Sequence, residues 1–205
     1  ERGIRLCLNR PELLREQLRA ILRAASYGSL RIMFPMVADM SEWRAAKAMV
    51  DEIRAELNAP ELPVGIMIEI PAAAVMADVF AKEVDFFSIG TNDLTQYTLA
   101  MDRMHPTLAG KSDGLHPSVL RLIDATVKGA HAAGKWVGIC GELGADPQAT
   151  PILLGLGVDE LSVSVPSIAT VKAKIRTLTR TEAQKLAAQA LACATAQEVR
   201  KLVGS

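Results

Sequence analysis

The chain has only three cysteines, Cys7, Cys140 and Cys193, and no two of them form a CxxC pair. Widely spaced thiols in odd number argue against a secreted disulfide framework and a zinc site, and fit a reducing cytoplasm. An excess of charge of either sign is also missing. Lysine plus arginine and aspartate plus glutamate both number 23, so no basic field draws in nucleic acid or an anionic membrane. A charged ligand must therefore be met by a local site. Long apolar runs are absent too: the most apolar stretch, 64–80, is broken by Glu69, Pro71 and Asp78 and is too short to span a bilayer. The charged opening Glu1-Arg2-Gly3 does not read as a secretory signal. There is no low-complexity linker and no short repeat. Neither GxGxxG nor the GxxxxGK phosphate loop follows any apolar run, which removes the commonest nucleotide sites.

What is present is an alternation of two periods. At 205 residues, half of them apolar, the chain suits one large domain, residues 1–205, with a sizeable core. Leu14, Leu18, Ile21, Leu22 and Ala25 form a helical stripe that Pro11 can open and Gly28 can stop. Short, almost wholly apolar runs follow at 30–36, 64–69, 84–90, 135–142 and 159–165, and they read as strands covered on both faces. Between them lie helical patterns, one opened by Asp39 and Glu42 in a capping-box arrangement, others by Pro71, Pro117 and Pro166. The segment GIRLCL, 3–8, reads as a weaker sixth strand. The last 25 residues, 181–205, read as helix.

Strand, helix, strand, helix with buried strands predicts an α/β fold with a parallel sheet, either doubly wound or a (β/α)8 barrel of the TIM type. The polar residues favour the barrel, because Glu69, the Thr91-Asn92-Asp93 group and Cys140 all fall at C-terminal ends of predicted strands. Five firm strands do not close eight, so the expectation is the C-terminal part of a barrel whose first strands lie upstream.

Glu69 and Asp93 are carboxylates on successive strand ends. Such a pair suits Mg2+, which prefers oxygen ligands and completes its shell with water and substrate oxygens; it equally suits two helix caps. Asn92 can donate its amide to an anionic oxygen or stabilise a turn. Arg103 offers a planar fork to phosphate or carboxylate, or is a solvated surface residue. Cys140, between two glycines, can deliver a proton to a carbanion-like carbon or simply fill the core. His105 and His116, each before a proline, read as turn residues, and His131 lies on a helix.

The segments RIMFPM, GIMIEIPAA, VDFFSIGTNDLTQYTLAMDR, GKWVGICGELGADP and LLGLGVDELSVS together resemble the C-terminal domain of enzyme I, the phosphoenolpyruvate–protein phosphotransferase of the bacterial sugar phosphotransferase system. GTNDLTQ alone would also admit pyruvate phosphate dikinase and phosphoenolpyruvate synthase; QYTLAMDR and GKW favour enzyme I. The resemblance implies a cytoplasmic, dimeric (β/α)8 barrel that binds phosphoenolpyruvate and Mg2+, hands the phosphoryl group to a histidine and releases pyruvate. It implies that Glu69 and Asp93 hold Mg2+, that Asn92, Asp93 and Arg103 bind substrate, that Cys140 protonates enolpyruvate, and that Arg2 stands at the edge of the site. The accepting histidine of that family sits on a separate N-terminal domain, which passes the group to the histidine phosphocarrier protein, and none of the three histidines here matches it. Two further substrate-binding arginines lie upstream in the family. On this reading the chain by itself does not phosphorylate itself. Metal-dependent lyases on similar barrels, and a purely dimerising fragment, are the alternative readings of the same residues.

Overall fold

The computed structural model of the protein describes residues 1–204. Five strands carry the fold: β1 (Ile32–Phe34), β2 (Val64–Ile68), β3 (Phe86–Gly90), β4 (Trp136–Cys140) and β5 (Glu160–Leu161). They form one parallel sheet in the order β1-β2-β3-β4-β5. Every strand thus lies beside its successor. A doubly wound sheet reverses its strand order at a switch point, and this one does not; it winds in one direction, as a barrel wall does.

Alternate side chains of a strand point to opposite faces, and the two faces here differ in composition. Ile32, Phe34, Val64, Ile66, Ile68, Phe87, Ile89, Val137 and Ile139 all enter the main core with the helices. The opposite face carries Met33, Gly65, Met67, Phe86, Ser88, Gly90, Trp136, Gly138, Cys140 and Glu160, whose strand partners include Ser88 with Gly138 and Gly90 with Cys140. Met33 is 45% exposed. The expectation of strands covered on both faces holds for β2 and β3, buried at all but one position, and is corrected for β1, which reads buried, exposed, buried. The reason is its place at the edge of the sheet, where only β2 lies beside it.

The helices follow the predicted stripes, with one exception. Residues 3–8 are not a strand; they lie in α1 (Gly3–Asn9). Buried Ile4, with Cys7 and Leu8 packed against the core, sits at spacings of three and four, which a helix can bury together and a strand cannot. Helix α2 (Pro11–Ala24) buries Leu14, Leu18 and Leu22. Asp39 accepts from Ser41 and Glu42 N–H, and Glu42 accepts from Asp39 N–H, completing the capping box of α3 (Met40–Leu57). Short helices α4 (Pro71–Val75) and α5 (Ala77–Phe80) connect β2 to β3; α6 (Thr91–Leu99) and α7 (Pro117–Ala132) connect β3 to β4; α8 (Ala149–Leu156) connects β4 to β5.

After β5 come α9 (Ile168–Arg176), α10 (Arg180–Ala192) and α11 (Ala196–Val203). Helices α8 and α10 touch backbone to backbone, since a Cβ on Gly155 would lie 2.0 Å from the Ala183 carbonyl oxygen. Among the described residues no helix is long and apolar enough to cross a membrane.

At the N-terminal ends of the strands a device recurs. The carboxylates of Asp85 and Asp159, each in a Val-Asp step just before a strand, accept an N–H near the start of the preceding strand, from Val64, the first residue of β2, and Val137, the second of β4, both at 2.8 Å. These aspartates tie the rim opposite the candidate site, leaving the C-terminal rim to carry the polar groups.

Candidate functional site at the C-terminal ends of the strands

Glu69 follows β2 directly and is buried. It does not cap α4, whose N-cap Ile70 has no side-chain cap. Its Oε2 instead accepts the Met36 N–H at 2.8 Å. Met36 holds a left-handed backbone at φ 59°, which aims that N–H inward. Gly90 lies against the same carboxylate: a Cβ there would stand 2.6 Å from Glu69 Cγ. Burial pushes the Glu69 carboxyl up; the Met36 hydrogen bond opposes the rise, and the neighbouring Asp93 charge adds to it.

Asp93 is buried in the first turn of α6, the helix that leaves β3. Its carboxylate faces Arg2, whose terminal nitrogens lie at 3.3 and 3.4 Å from its two oxygens. Gly3 lets this arm approach, at φ +60° with Met36 Cβ only 2.7 Å from where its own Cβ would be, and Ile4 N–H donates to the Pro35 carbonyl at 3.1 Å. Glu69, Asp93 and Arg2 thus meet although their elements are far apart in sequence.

Cys140 ends β4, next to Gly90 in register. Ser88 Oγ lies 3.5 Å from its sulfur, and the thiol donates to the Ile89 carbonyl at 3.6 Å. Burial pushes the thiol pKa up and the Glu69 charge adds to the rise, against the Ser88 hydrogen bond. Burial and the Glu69 charge thus favour the protonated thiol of Cys140 over the thiolate.

Asn92 stands next to Asp93 but faces the other way. Its Oδ1 accepts Glu142 N–H at 3.1 Å, so its NH2 remains to donate. The turn after β4 makes this possible: Gly141 has φ +101°, and a Cβ on it would lie 2.5 Å from Thr91 Oγ1 and 3.0 Å from Asn92 Oδ1. Asn92 and Arg103 both line a cavity of about 560 Å3 with Thr95, Glu142 and Arg200. Arg103 is exposed; its backbone N–H is held by Gln96 Oε1 at 3.1 Å, and no carboxylate pairs with its guanidinium among the described residues. The predicted residues therefore fall in two adjoining groups. One contains Glu69, Asp93, Arg2 and Cys140; the other contains Asn92 and Arg103.

Residues 1–180 match the family described as "PEP-utilising enzyme, PEP-binding domain". The chain belongs to this family. A multiphosphoryl transfer protein of Rhodobacter capsulatus is 58% identical over 202 residues, covering 98% of this chain and 24% of that protein. A phosphoenolpyruvate-protein phosphotransferase of Staphylococcus carnosus is 51% identical over 208 residues, covering 98% of this chain and 36% of that protein. The chain thus spans about a quarter to a third of these relatives. Among solved structures, a citrate lyase from Burkholderia xenovorans superposes with a TM-score of 0.62 at 21% identity, over 92% of this chain and 65% of that one. That likeness speaks to the fold of this PEP-binding domain.

Three features of the PEP-binding domain were not read from its sequence. Ser88 shares the inner face with Cys140, which alternate spacing along β3 could have suggested. The Met36 N–H comes from a backbone conformation that no residue type announces. Arg200 lies 97 positions beyond Arg103 and enters the same cavity only through tertiary packing. The histidines serve locally: His116 accepts Ser118 N–H at the start of α7, His105 accepts Thr107 N–H, and His131 pairs with Asp159 at 2.8 Å.

Proposed function

We propose that this domain binds phosphoenolpyruvate and Mg2+ in an enzyme I-type phosphotransferase of the sugar phosphotransferase system. The phosphoryl group passes to a histidine of a separate domain and then to the histidine phosphocarrier protein, and pyruvate is released. The observation that carries this reading is one layer of three groups: buried Glu69 and Asp93 side by side, and the protonated Cys140 thiol within the field of Glu69. A homodimer in the cytoplasm completes the proposal, on the resemblance to enzyme I.

Two adjoining buried carboxylates, with no third acid grouped with them among the described residues, suit a hard divalent ion that takes its other ligands from substrate and water. Glu69 and Asp93 would hold Mg2+, which when bound neutralises charge on the carboxylate and phosphate of the substrate. Asn92 donates its NH2 to an anionic oxygen of the substrate. Arg103, without a carboxylate partner of its own, presents its fork to the phosphate, where charge develops on the equatorial oxygens as the P–O bond breaks.

The enolpyruvate that remains takes a proton on its methylene carbon. The Cys140 S–H bond breaks, the new C–H bond makes the methyl group of pyruvate, and the thiolate regains a proton from solvent. Burial and the Glu69 charge disfavour that thiolate, so the thiol is restored for the next turnover. None of the three histidines of this chain matches the accepting histidine of the enzyme I family; each is engaged locally, in a turn, at a helix start or with Asp159.

The test is calorimetric titration of Mg2+ and phosphoenolpyruvate into the full-length phosphotransferase and its Glu69→Ala/Asp93→Ala variant. Metal-dependent uptake of phosphoenolpyruvate that disappears in the folded variant is the expected result. Equal uptake by both proteins would sink the assignment.

A further inference from the structure

Between α6 and α7 the chain crosses the cavity as a largely exposed segment, residues 100–116, that carries Arg103. Most of its hydrogen bonds are to itself, such as His105 N–H to the Asp102 carbonyl at 3.0 Å and Leu108 N–H to that of His105 at 3.1 Å. At its near end Gln96 holds Arg103 N–H. At its far end Asp113 Oδ1 accepts Leu115 N–H at 3.0 Å, just before buried Leu115 enters the core. What holds Asp113 comes from α11. Arg200 places Nε 2.6 Å from Asp113 Oδ2 and Nη2 2.9 Å from Oδ1, a two-pronged grip.

The same guanidinium reaches the loop after β4. Both of its terminal nitrogens lie 3.2 Å from Asp146 Oδ2, and Nη1 is 2.6 Å from Gln148 Oε1. Gln148 in turn donates to the Gly204 carbonyl at 2.7 Å, tying the end of α11 to the same loop. Arg200 therefore joins the segment that carries Arg103 to the loop that follows Glu142, and those two segments wall one cavity. Burial opposes the charge on Asp113, yet the Arg200 hydrogen bonds, the Leu115 N–H and the Arg200 charge together outweigh it and hold the carboxyl below its ordinary range. Without the guanidinium, Asp113 and Asp146 would face each other with no positive charge between them and would part.

We infer that Arg200 is a positioning residue, which fixes the distance between the Arg103 segment and the loop after β4 so that Arg103 addresses the phosphate. It lies outside residues 1–180, where the family match ends. The inference rests on the reading of Arg103 as a phosphate ligand, so its test is built to separate the two.

The test is titration of phosphoenolpyruvate with Mg2+ into the full-length protein and its Arg200→Gln, Arg103→Ala and doubly substituted forms, each checked for its melting temperature. Arg200→Gln is expected to weaken uptake about tenfold, equivalent to about 1.4 kcal/mol, and to have no further effect once Arg103 is alanine. Equal weakening in both backgrounds would mean a general structural role and would overturn the inference, as would no weakening at all. Arg200→Lys, which keeps the charge but loses the fork, is expected to recover less than half of the loss. If the unsubstituted protein takes up no phosphoenolpyruvate, the site reading itself fails. Amide exchange over residues 102–112 then decides: faster exchange in Arg200→Gln keeps the tether, and unchanged exchange removes it.

Discussion

Arg2 and Asp93 meet across 91 positions of sequence, with the two terminal guanidinium nitrogens 3.3 and 3.4 Å from the two carboxylate oxygens. The Asp93 side chain is only 10% exposed, whereas that of Arg2 is 56% exposed. The acid is thus fixed and the arginine is free to leave. Its guanidinium supplies the positive charge that a metal ion would bring to the same oxygens.

On the proposed function, Arg2 and a divalent ion compete for Asp93 until substrate gives the guanidinium another anion to face. Arg2→Ala is expected to tighten Mg2+ binding in the absence of substrate by a few-fold and to weaken phosphoenolpyruvate uptake about tenfold. Calorimetry of metal alone and of metal with substrate reads both. Unchanged metal affinity would mean that Arg2 has no share in this site.

Glu69 gives a prediction whose sign follows from burial. Its folded pKa lies above the ordinary value, so the ionised form weakens the fold; the loss is absent below the unfolded value of about 4.3 and complete above the folded one. Glu69→Gln keeps an oxygen for Met36 N–H and removes the charge. The variant is expected to melt higher at pH 7, by about 2–4 °C for each kcal/mol recovered, and the difference should shrink as pH falls through the raised pKa toward about 4.3. Added Mg2+ should raise the melting temperature of the unsubstituted protein and leave the variant unmoved. A variant less stable than its parent at pH 7 in metal-free buffer would contradict the assignment.

Cys140 is predicted to be a poor nucleophile that keeps its proton at neutral pH and so has one to give. Its alkylation by iodoacetamide should lag behind that of a free thiol at pH 8, because less of it is thiolate. In the full-length protein, Cys140→Ala should slow solvent-deuterium incorporation into the methyl group of pyruvate by about 10²–10⁴-fold, with phosphohistidine formation impaired less. Equal loss of both would assign the thiol to substrate binding instead.

The order of elements could be read because each strand buries one apolar face, and because Pro11, Asp39, Pro71 and Pro117 mark helix starts by local chemistry. The capping box of Asp39 and Glu42 formed as its spacing predicts. Residues 3–8 were misread because Ile4, Leu6 and Leu8 alternate as in a strand while Ile4, Cys7 and Leu8 repeat as in a helix, and only docking against the core decides between the two periods. Register with Gly90 brings Cys140 beside Glu69, and that proximity is a product of the sheet. The Arg200 tether had no signal in sequence, since a guanidinium finds two carboxylates 54 and 87 positions away only after α11 has packed.

Gly90 offers a separation of fold from site. Its φ of −82° is ordinary, so alanine there meets no backbone strain; the obstacle is Glu69, whose Cγ and Oε1 would lie 2.6 and 2.8 Å from the new Cβ. Glu69 is buried and held by Met36, so it can yield only by giving up that hydrogen bond. Gly90→Ala is expected to cost about 1–3 kcal/mol of stability through overpacking and to abolish Mg2+-dependent uptake of phosphoenolpyruvate. Truncating the obstacle should restore the first property and not the second: Gly90→Ala/Glu69→Ala should melt close to Glu69→Ala alone, and should still bind no metal. Thermal melts with and without Mg2+ across the four proteins measure this. A double variant as unstable as the sum of its parts would place the conflict elsewhere than at the carboxylate.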